Sequence, residues 1–242
     1  MAKNKKSRYS LLRNRDGVNI DSTSLAIDRT YKVHLVRNLT GSTYILRFDR
    51  NEMEFLPGQH ITLGLAGENQ IREYSIYSSI NDHFLEVLIR EIEDGHVSRK
   101  LKKLNKGDEL IVDGPFGFFT LDEKIMNTSK YLFIATGTGI APFHSIAGAY
   151  PGLNYKLIHG VRFTCEAYEK DTYPIDKYVL CTSRDTNNKS FNGRVTDYLK
   201  ANEVDSDTLV YLCGNCDMIY EVYDLLTTRG LHTDQIKTEV YF

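Results

Sequence analysis

The chain has 242 residues, of which 41% are hydrophobic and 26% are charged, so it is long enough and apolar enough to fold around a sizeable core. Its formal net charge of −2 argues against a protein built to bind nucleic acid. No apolar run reaches the length of a membrane helix, and the N-terminal segment lacks the apolar centre of a signal peptide. We therefore expect no membrane insertion and a cytoplasmic location.

The first part of the chain, from about residue 30 to residue 121, predicts an antiparallel sheet or barrel. Short alternating or apolar runs recur there with turn residues between them. One helical pattern interrupts them, because Val97, Leu101 and Leu104 recur at helical spacing before Gly107. The predicted strands are YKVHLVRNL, TYILRFD, HITLGLA, EYSIYSS, FLEVLIREI and DELIVDGPFG.

The pattern changes after a polar stretch at residues 122–129. KYLFIAT is a continuous apolar run, as expected for a strand that is buried on both faces. Strands and helices then alternate, which predicts a parallel sheet with helices on its faces. The predicted strands after the first are YKLIHGV, KYVLCTS and TLVYLCG, and the predicted helices are in GTGIAPFHSIAGAY, GRVTDYLK and CDMIYEVYDLLTTRG.

The four cysteines, Cys165, Cys181, Cys213 and Cys216, are too few and too late in the chain for a disulfide framework, so we expect free thiols. Cys213 and Cys216 form one C-x-x-C pair without a second pair or a suitably spaced histidine. The cysteine spacing of a plant-type iron–sulfur cluster is also missing. We expect no metal site.

A glycine loop in the second part predicts a phosphate-binding site. Gly137, Thr138 and Gly139 follow the buried strand and precede a helix with Pro142 in its first turn. Glycines let the backbone approach a pyrophosphate, and the start of a helix supplies N–H groups. Such a loop also occurs as a plain turn, but its position at the carboxyl end of a strand favours a ligand.

Two further segments end strands at the same edge of the predicted sheet. Ser183 and Arg184, joined by Arg162 and Arg194, are suited to the 2′-phosphate of a phosphorylated cofactor. Asp185 lies beside them and leaves open an acidic contact to ribose hydroxyls, as in NAD sites. We favour the phosphorylated cofactor.

The segment CGNCDM gives Cys213, Gly214 and Asn215 at a strand-to-helix junction. Gly214 would permit close approach by a flat ring, and a simple turn is the alternative.

In the first part, the basic run from Ser98 to Lys106 is either a solvated face or a docking surface for an acidic partner.

The segments REYSIYSS, GTGIAPF, HGVR, TSRD, CGNCDM and TEVYF occur in the order found in the ferredoxin–NADP reductase family, which the chain resembles from about residue 30 to residue 242. The resemblance implies an antiparallel Greek-key β-barrel that binds FAD, residues 30–122, followed by a Rossmann-like α/β domain that binds NADP(H), residues 123–242. Residues 1–29 are an N-terminal extension. It further implies hydride transfer between nicotinamide and flavin N5, with ferredoxin or flavodoxin as an acidic electron carrier.

The resemblance also implies roles for single residues in binding FAD. Arg72 pairs with the pyrophosphate, Tyr74 lies against one face of the flavin ring, and Ser75 forms a hydrogen bond near flavin N5. Ser98 is expected to contact phosphate together with nearby N–H groups, and the structural alternative, that it is the N-cap of its helix, is compatible with this role. The residues of this second phosphate contact are Gly95, His96, Val97 and Ser98.

At the chain end, Glu239 is expected beside Ser75 and Cys213 in a group that serves hydride and proton transfer, with a perturbed pKa. Tyr241 or Phe242 covers the other face of the flavin, and the sequence does not choose between them. The alternative is that TEVYF is only a terminal strand. The implied catalytic residues are Ser75, Cys213, Glu239 and Tyr241, and the implied NADP(H) contacts are Gly137, Thr138, Gly139, Arg162, Ser183, Arg184, Arg194, Cys213, Gly214 and Asn215.

Other functions stay open at this stage. They are an NADH-linked reductase of an oxygenase or cytochrome system, a reductase of free flavin, and a flavoprotein without turnover. The sequence does not settle the direction of electron flow or the oligomeric state.

Overall fold

The computed structural model describes residues 30–185 and 190–241. The predictions for residues 1–29 and for Phe242 therefore lie outside the described residues. Within the described ranges, no helix is both long enough and apolar enough to span a membrane.

The first six strands form one antiparallel sheet in the order β4-β3-β6-β1-β2-β5. A backbone bridge between Ile76 and Val87 joins the end of β4 to β5 and closes the sheet into a barrel, which confirms the predicted architecture. The strands are β1 (Thr30–Asn38), β2 (Thr43–Asp49), β3 (His60–Leu65), β4 (Ile71–Ser75), β5 (Phe84–Arg90) and β6 (Glu109–Phe116), and helix α1 (His96–Leu101) follows β5.

Two boundaries in the barrel part differ from the predictions by three residues or more. Strand β4 ends at Ser75 rather than continuing to Ser79, because the chain turns there from β3 to β5: the Ile76 N–H donates to Gln59, and the Tyr77 N–H donates to Glu86. Helix α1 ends at Leu101, before Leu104, since turns carry the chain from there to Gly107, where φ is +95°.

The last six strands form a parallel sheet in the order β10-β9-β8-β7-β11-β12. Pro142 lies in the first turn of α2, as predicted. The elements are β7 (Tyr131–Thr136), α2 (Ala141–Ala149), β8 (Tyr155–Val161), β9 (Tyr178–Thr182), β10 (Phe191–Asn192), α3 (Val195–Ala201), β11 (Leu209–Asn215), α4 (Cys216–Thr228) and β12 (Ile236–Tyr241).

The barrel and the parallel sheet share one hydrophobic core. Ile45 and Tyr77 of the barrel part pack into the same cluster as Phe133 and Phe143 of the second part. The Phe119 ring of the barrel part lies against Phe143 of α2, with the ring centroids 5.8 Å apart. Because buried apolar contacts of this kind resist sliding, they hold the α2 side of the parallel sheet against the barrel.

A polar contact fixes the same boundary. Glu169, in the loop after β8, accepts hydrogen bonds from the Tyr77 hydroxyl (2.7 Å) and from Arg37 of β1 (2.6 Å). Burial acts to raise the pKa of Glu169, but these two hydrogen bonds and the nearby charges outweigh burial and lower it. Glu169 has a φ of +48°, which a non-glycine residue keeps only when its surroundings hold it there.

We expect Glu169→Ala to lower the free energy of unfolding by about 2 kcal/mol, because the buried Tyr77 hydroxyl loses its acceptor. Since the folded-state pKa of Glu169 is lowered, its contribution is complete above the ordinary value of 4.5 and is lost as the pH falls through the lower folded-state value. Urea denaturation at neutral and acidic pH measures both effects. Glu203→Ala, an exposed glutamate, is the control; equal loss in both variants would contradict the expectation.

Candidate functional site

A cleft of about 1480 Å³ runs between the β4 edge of the barrel and the carboxyl ends of the parallel strands. It is larger than the roughly 300–1,000 Å³ of ordinary small-molecule pockets, so it has room for more than one nucleotide. The predicted site residues that line it are Arg72, Tyr74, Ser75, Gly95, His96, Val97, Ser98, Gly137, Thr138, Arg162, Ser183, Arg184, Arg194, Gly214, Asn215, Glu239 and Tyr241.

Three side chains at the centre of the cleft form a hydrogen-bonded chain. The Tyr241 hydroxyl donates to the Ser75 hydroxyl (2.6 Å), which donates to a carboxylate oxygen of Glu239 (2.7 Å). Burial raises the pKa of Glu239 above its ordinary value of 4.5, while the hydrogen bond from Ser75 acts in the opposite direction. The structure therefore brings the predicted carboxylate next to Ser75 with a perturbed pKa.

Cys213 and Gly139 lie behind the wall of the cleft. Cys213 is paired with Glu239 across β11 and β12, is fully buried, and contacts the Tyr241 hydroxyl. Burial raises the pKa of the Cys213 thiol well above its ordinary value, so the thiol is protonated at neutral pH. A side chain at Gly139 would place its Cβ 2.4 Å from the Cys213 carbonyl oxygen. Gly139 thus packs the loop against β11 in this structure instead of facing the cleft.

Gly137 and Gly214 both line the cleft, but different structural constraints favour glycine at the two positions. Gly137 has a φ of +54°, and a Cβ there would meet open space. Gly214 has a φ of +130°, and a Cβ there would lie 2.4 Å from the Thr136 hydroxyl oxygen. The sequence offers the approach of a flat ring or a simple turn as the reason for Gly214, and its packing against Thr136 already requires glycine without a ligand. Asn215 donates its N–H to the Thr136 hydroxyl, and its side chain caps α4 by accepting from the Met218 N–H.

The prediction that Ser98 is an N-cap is wrong. Helix α1 begins after Gly95, so Ser98 lies inside the helix. Its hydroxyl accepts a hydrogen bond from the Ile92 N–H (3.2 Å), and its carbonyl oxygen accepts from the buried Tyr44 hydroxyl. These contacts tie the helix to the barrel while the residue still lines the cleft.

Four predicted phosphate ligands gather at the far end of the cleft. Arg162, Ser183, Arg184 and Arg194 are exposed, and the Arg184 N–H donates to the Arg162 carbonyl oxygen (2.9 Å), which joins the two loops. The Asp185 carboxylate accepts from the hydroxyl (2.7 Å) and the N–H (3.1 Å) of Thr164. Asp185 therefore serves the loop after β8, which removes the main objection to a phosphorylated cofactor.

The basic run from Ser98 to Lys106 is partly neutralised within the protein. Lys100 pairs with Glu68 at 2.7 Å, and Lys102 pairs with Glu91. Burial of the run at a partner surface would break or compete with these pairs. The solvated-face interpretation of this run is thus the better supported of the two.

The sequence prediction does not include some residues of the site, His60 among them. His60 lines the cleft, is paired with Ser75 across β3 and β4, and acts to lower the Glu239 pKa. Arg90 at the end of β5 also lines the cleft. Strand pairing with Ser75 could have pointed to His60, whereas Arg90 is paired with Thr43, which is not a predicted site residue.

The comparisons with known proteins decide the family. Residues 30–121 match the family model of an oxidoreductase FAD-binding domain, and residues 133–224 match that of an oxidoreductase NAD-binding domain. A flavodoxin/ferredoxin–NADP reductase of Buchnera aphidicola is 34% identical over 225 residues, which cover 78% of this chain and 86% of the relative. The chain belongs to the ferredoxin–NADP reductase family. It is accordingly an oxidoreductase that binds FAD and a nicotinamide coenzyme, NAD(H) or NADP(H).

Relatives within and beside this family include two kinds of electron-transfer protein. The toluate 1,2-dioxygenase electron transfer component of Pseudomonas putida is 31% identical over 81% of this chain, which spans 62% of that relative's length. A ferredoxin–NADP+ reductase from Neisseria gonorrhoeae, solved with bound FAD and NADP, superimposes on this chain with a TM-score of 0.80 at 26% sequence identity. The superposition covers 88% of this chain and 98% of the Neisseria chain.

The cleft residues fit both cofactors of the ferredoxin–NADP reductase family. On the barrel side, the exposed Arg72 guanidinium and the half-buried Tyr74 ring offer an anion contact and an aromatic face. Burial raises the pKa of Tyr74 to about 12, so the phenol stays neutral. On the sheet side, the open space beside Gly137 and the cluster around Arg184 match a pyrophosphate and a 2′-phosphate.

Proposed function

We propose that this protein transfers electrons between NADP(H) and a one-electron carrier protein of the ferredoxin or flavodoxin kind. The observation that carries the coenzyme half is the exposed cluster of Ser183, Arg184 and Arg194, with Asp185 turned away to Thr164. The assignment of a carrier protein rests on relatives named flavodoxin/ferredoxin–NADP reductase. The one from Escherichia coli is 30% identical, and the match covers 78% of this chain and 86% of that relative.

Each group of residues then has a role. Arg72 and the backbone N–H groups of residues 96–98 at the start of α1 bind the FAD phosphates, and Tyr74 stacks on its ring. When bound, FAD supplies a group that takes up hydride and releases electrons singly. Ser75 and Glu239 hold a proton beside the reacting ring, and Tyr241 or Phe242 covers its other face. We also propose that residues 30–122 form the FAD domain and residues 123–242 the NADP(H) domain.

An NADH-linked reductase of an oxygenase system is the second candidate. The 31% identity to the toluate dioxygenase component favours it. The two candidates differ in coenzyme, because an NADH site has no use for the cationic cluster around Arg184.

Anaerobic titration of the purified flavoprotein with NADPH and then NADH tests the proposal. We expect the visible flavin absorbance to bleach far faster with NADPH. Equal or faster bleaching by NADH would move the function to the second candidate. If the flavin is bleached but passes its electrons only to free flavin, a carrier protein as electron acceptor is excluded. If the protein shows no turnover, the proposed enzymatic activity is excluded.

We expect Arg184→Ala to raise the KM for NADPH about 10- to 100-fold, because a charge-assisted contact to phosphate contributes about 1.5–3 kcal/mol. The KM for NADH should change little, since NADH lacks the 2′-phosphate. Steady-state reduction of an artificial acceptor measures both constants. Lys200→Ala removes an exposed cation of α3 outside the cleft and is the control. A parallel rise for both coenzymes in Arg184→Ala would contradict the assignment.

A further inference from the structure

His159 is a buried polar side chain that none of the roles above requires. It lies in the middle of β8, between Ala135 of β7 and Leu180 of β9, and its side chain has no exposed surface. A histidine in the centre of a parallel sheet costs free energy unless both ring nitrogens find partners. The partners that it has therefore show what the residue does.

Both ring nitrogens of His159 are hydrogen-bonded. Nε2 lies 2.9 Å from the carbonyl oxygen of Gly137, and Nδ1 lies 2.8 Å from the Tyr178 hydroxyl. A carbonyl oxygen can only accept, so Nε2 carries the proton and Nδ1 accepts from Tyr178. Burial lowers the pKa of His159 to about 4, so the ring is neutral and keeps this tautomer at neutral pH.

The bond to Gly137 controls the direction of one peptide group. Gly137 opens the glycine loop with a φ of +54°, and no atom lies within 4 Å of where its Cβ would be. Side-chain packing at Gly137 itself thus does not fix its peptide group, and the hydrogen bond from His159 adds to the backbone turn of the 3-10 helix Gly137–Ile140 and to the packing of Gly139 on β11. In a trans peptide the C=O and the following N–H point in opposite directions. A Gly137 carbonyl that points down at His159 directs the Thr138 N–H up, toward the cleft that Thr138 lines.

We propose that His159 is a positioning residue for the coenzyme loop, which it aims by holding the Gly137 carbonyl so that the Thr138 N–H faces the coenzyme pyrophosphate. This inference rests on the proposed function, in which the loop binds NADP(H). His159 does not line the cleft itself, so it acts through the backbone of Gly137 and Thr138. Tyr178 fixes the tautomer that makes the contact possible.

The test compares two ligands on the flavin-loaded protein. NADP+ needs both the loop and the arginine cluster, whereas 2′-AMP carries no pyrophosphate and needs the arginine cluster alone. We expect His159→Leu to raise the Kd for NADP+ about tenfold, the effect of one lost hydrogen bond in an aligned site, and to change the Kd for 2′-AMP less than about twofold. Calorimetry measures both constants.

A conservative variant separates positioning from packing. The side-chain amide of His159→Gln reaches about as far as Nε2 and can donate to Gly137, so we expect NADP+ affinity to return to within about threefold of the parent. The amide of His159→Asn is one methylene shorter and should behave like leucine. If His159→Leu does not fold, the glutamine and asparagine variants carry the comparison, and equal affinities in those two would overturn the proposal.

Two other results would also overturn it. One is unchanged NADP+ affinity in His159→Leu, and the other is a parallel loss of NADP+ and 2′-AMP binding, which indicates general damage to the domain. The parent protein is measured first. If the parent prefers NADH, the proposed function fails, and the comparison is repeated with NAD+ against AMP, so that the positioning role is judged separately.

Discussion

Replacing Ser75 with alanine is expected to lower kcat for NADPH-dependent electron transfer about 100-fold or more, with FAD still bound. The Ser75 hydroxyl links Tyr241 to Glu239, with hydrogen bonds of 2.6 and 2.7 Å. Its loss leaves the half-buried Glu239 carboxylate without its donor, at the point where we place the reacting atoms. A group held in position in this way contributes far more in a desolvated site than its counterpart would in water.

Stopped-flow flavin reduction by NADPH measures the effect directly, because it isolates the first half-reaction from the carrier. Ser79→Ala is the matched control: the Ser79 hydroxyl accepts from the Asn81 N–H, and Ser79 is not part of the cleft wall. Glu239→Gln should share most of the loss of Ser75→Ala, since both residues act in one hydrogen-bonded chain. If flavin is reduced at the parent rate in Ser75→Ala, Ser75 has no role in the reaction of NADPH with the flavin.

The second large effect is expected from Gly214→Ala. The added Cβ would lie 2.4 Å from the Thr136 hydroxyl oxygen and 2.8 Å from its carbonyl oxygen, at a φ of +130° that side chains disfavour. Steric overlap and backbone strain together should cost about 3 kcal/mol or more, which is on the order of a 10 °C fall in the melting temperature. NADP+ binding should weaken as well, because the turn after β11 and the glycine loop pack against each other.

Gly152→Ala is the control for this effect. A Cβ at Gly152 would meet no atom within 4 Å, and the residue does not have a positive φ. Thermal unfolding followed by far-ultraviolet circular dichroism, with FAD in excess, compares the two variants and the parent. If Gly214→Ala has the same melting temperature as Gly152→Ala, the contact between Gly214 and Thr136 is looser than the structure shows.

Much of the architecture follows from local pattern alone. The strands TYILRFD and YKLIHGV occur with the predicted bounds, Thr43–Asp49 and Tyr155–Val161. Both strands are mostly buried, and each is a short run rich in apolar, β-branched and aromatic residues at consecutive positions. The switch from barrel to parallel sheet is visible because strands and helices alternate regularly only in the second part.

The site motifs were also visible, because a phosphate-binding loop needs glycines and arginines at fixed places relative to strand ends. What sequence could not decide is which groups are taken by neighbours far along the chain. Asp185 is held by Thr164, Ser98 is held by Ile92, and Gly214 is packed on Thr136. Each of these contacts depends on how strands are ordered in a sheet or on how a loop folds back.

His159 shows the division most clearly. Its sequence context, YKLIHGV, determined a buried strand and nothing more about the histidine. Only the tertiary structure places its ring between the Tyr178 hydroxyl, at the start of β9, and the Gly137 carbonyl, just after β7. A sequence determines the order of apolar and polar groups along one chain, whereas hydrogen-bond partners are determined by which segments become neighbours when the parallel sheet forms.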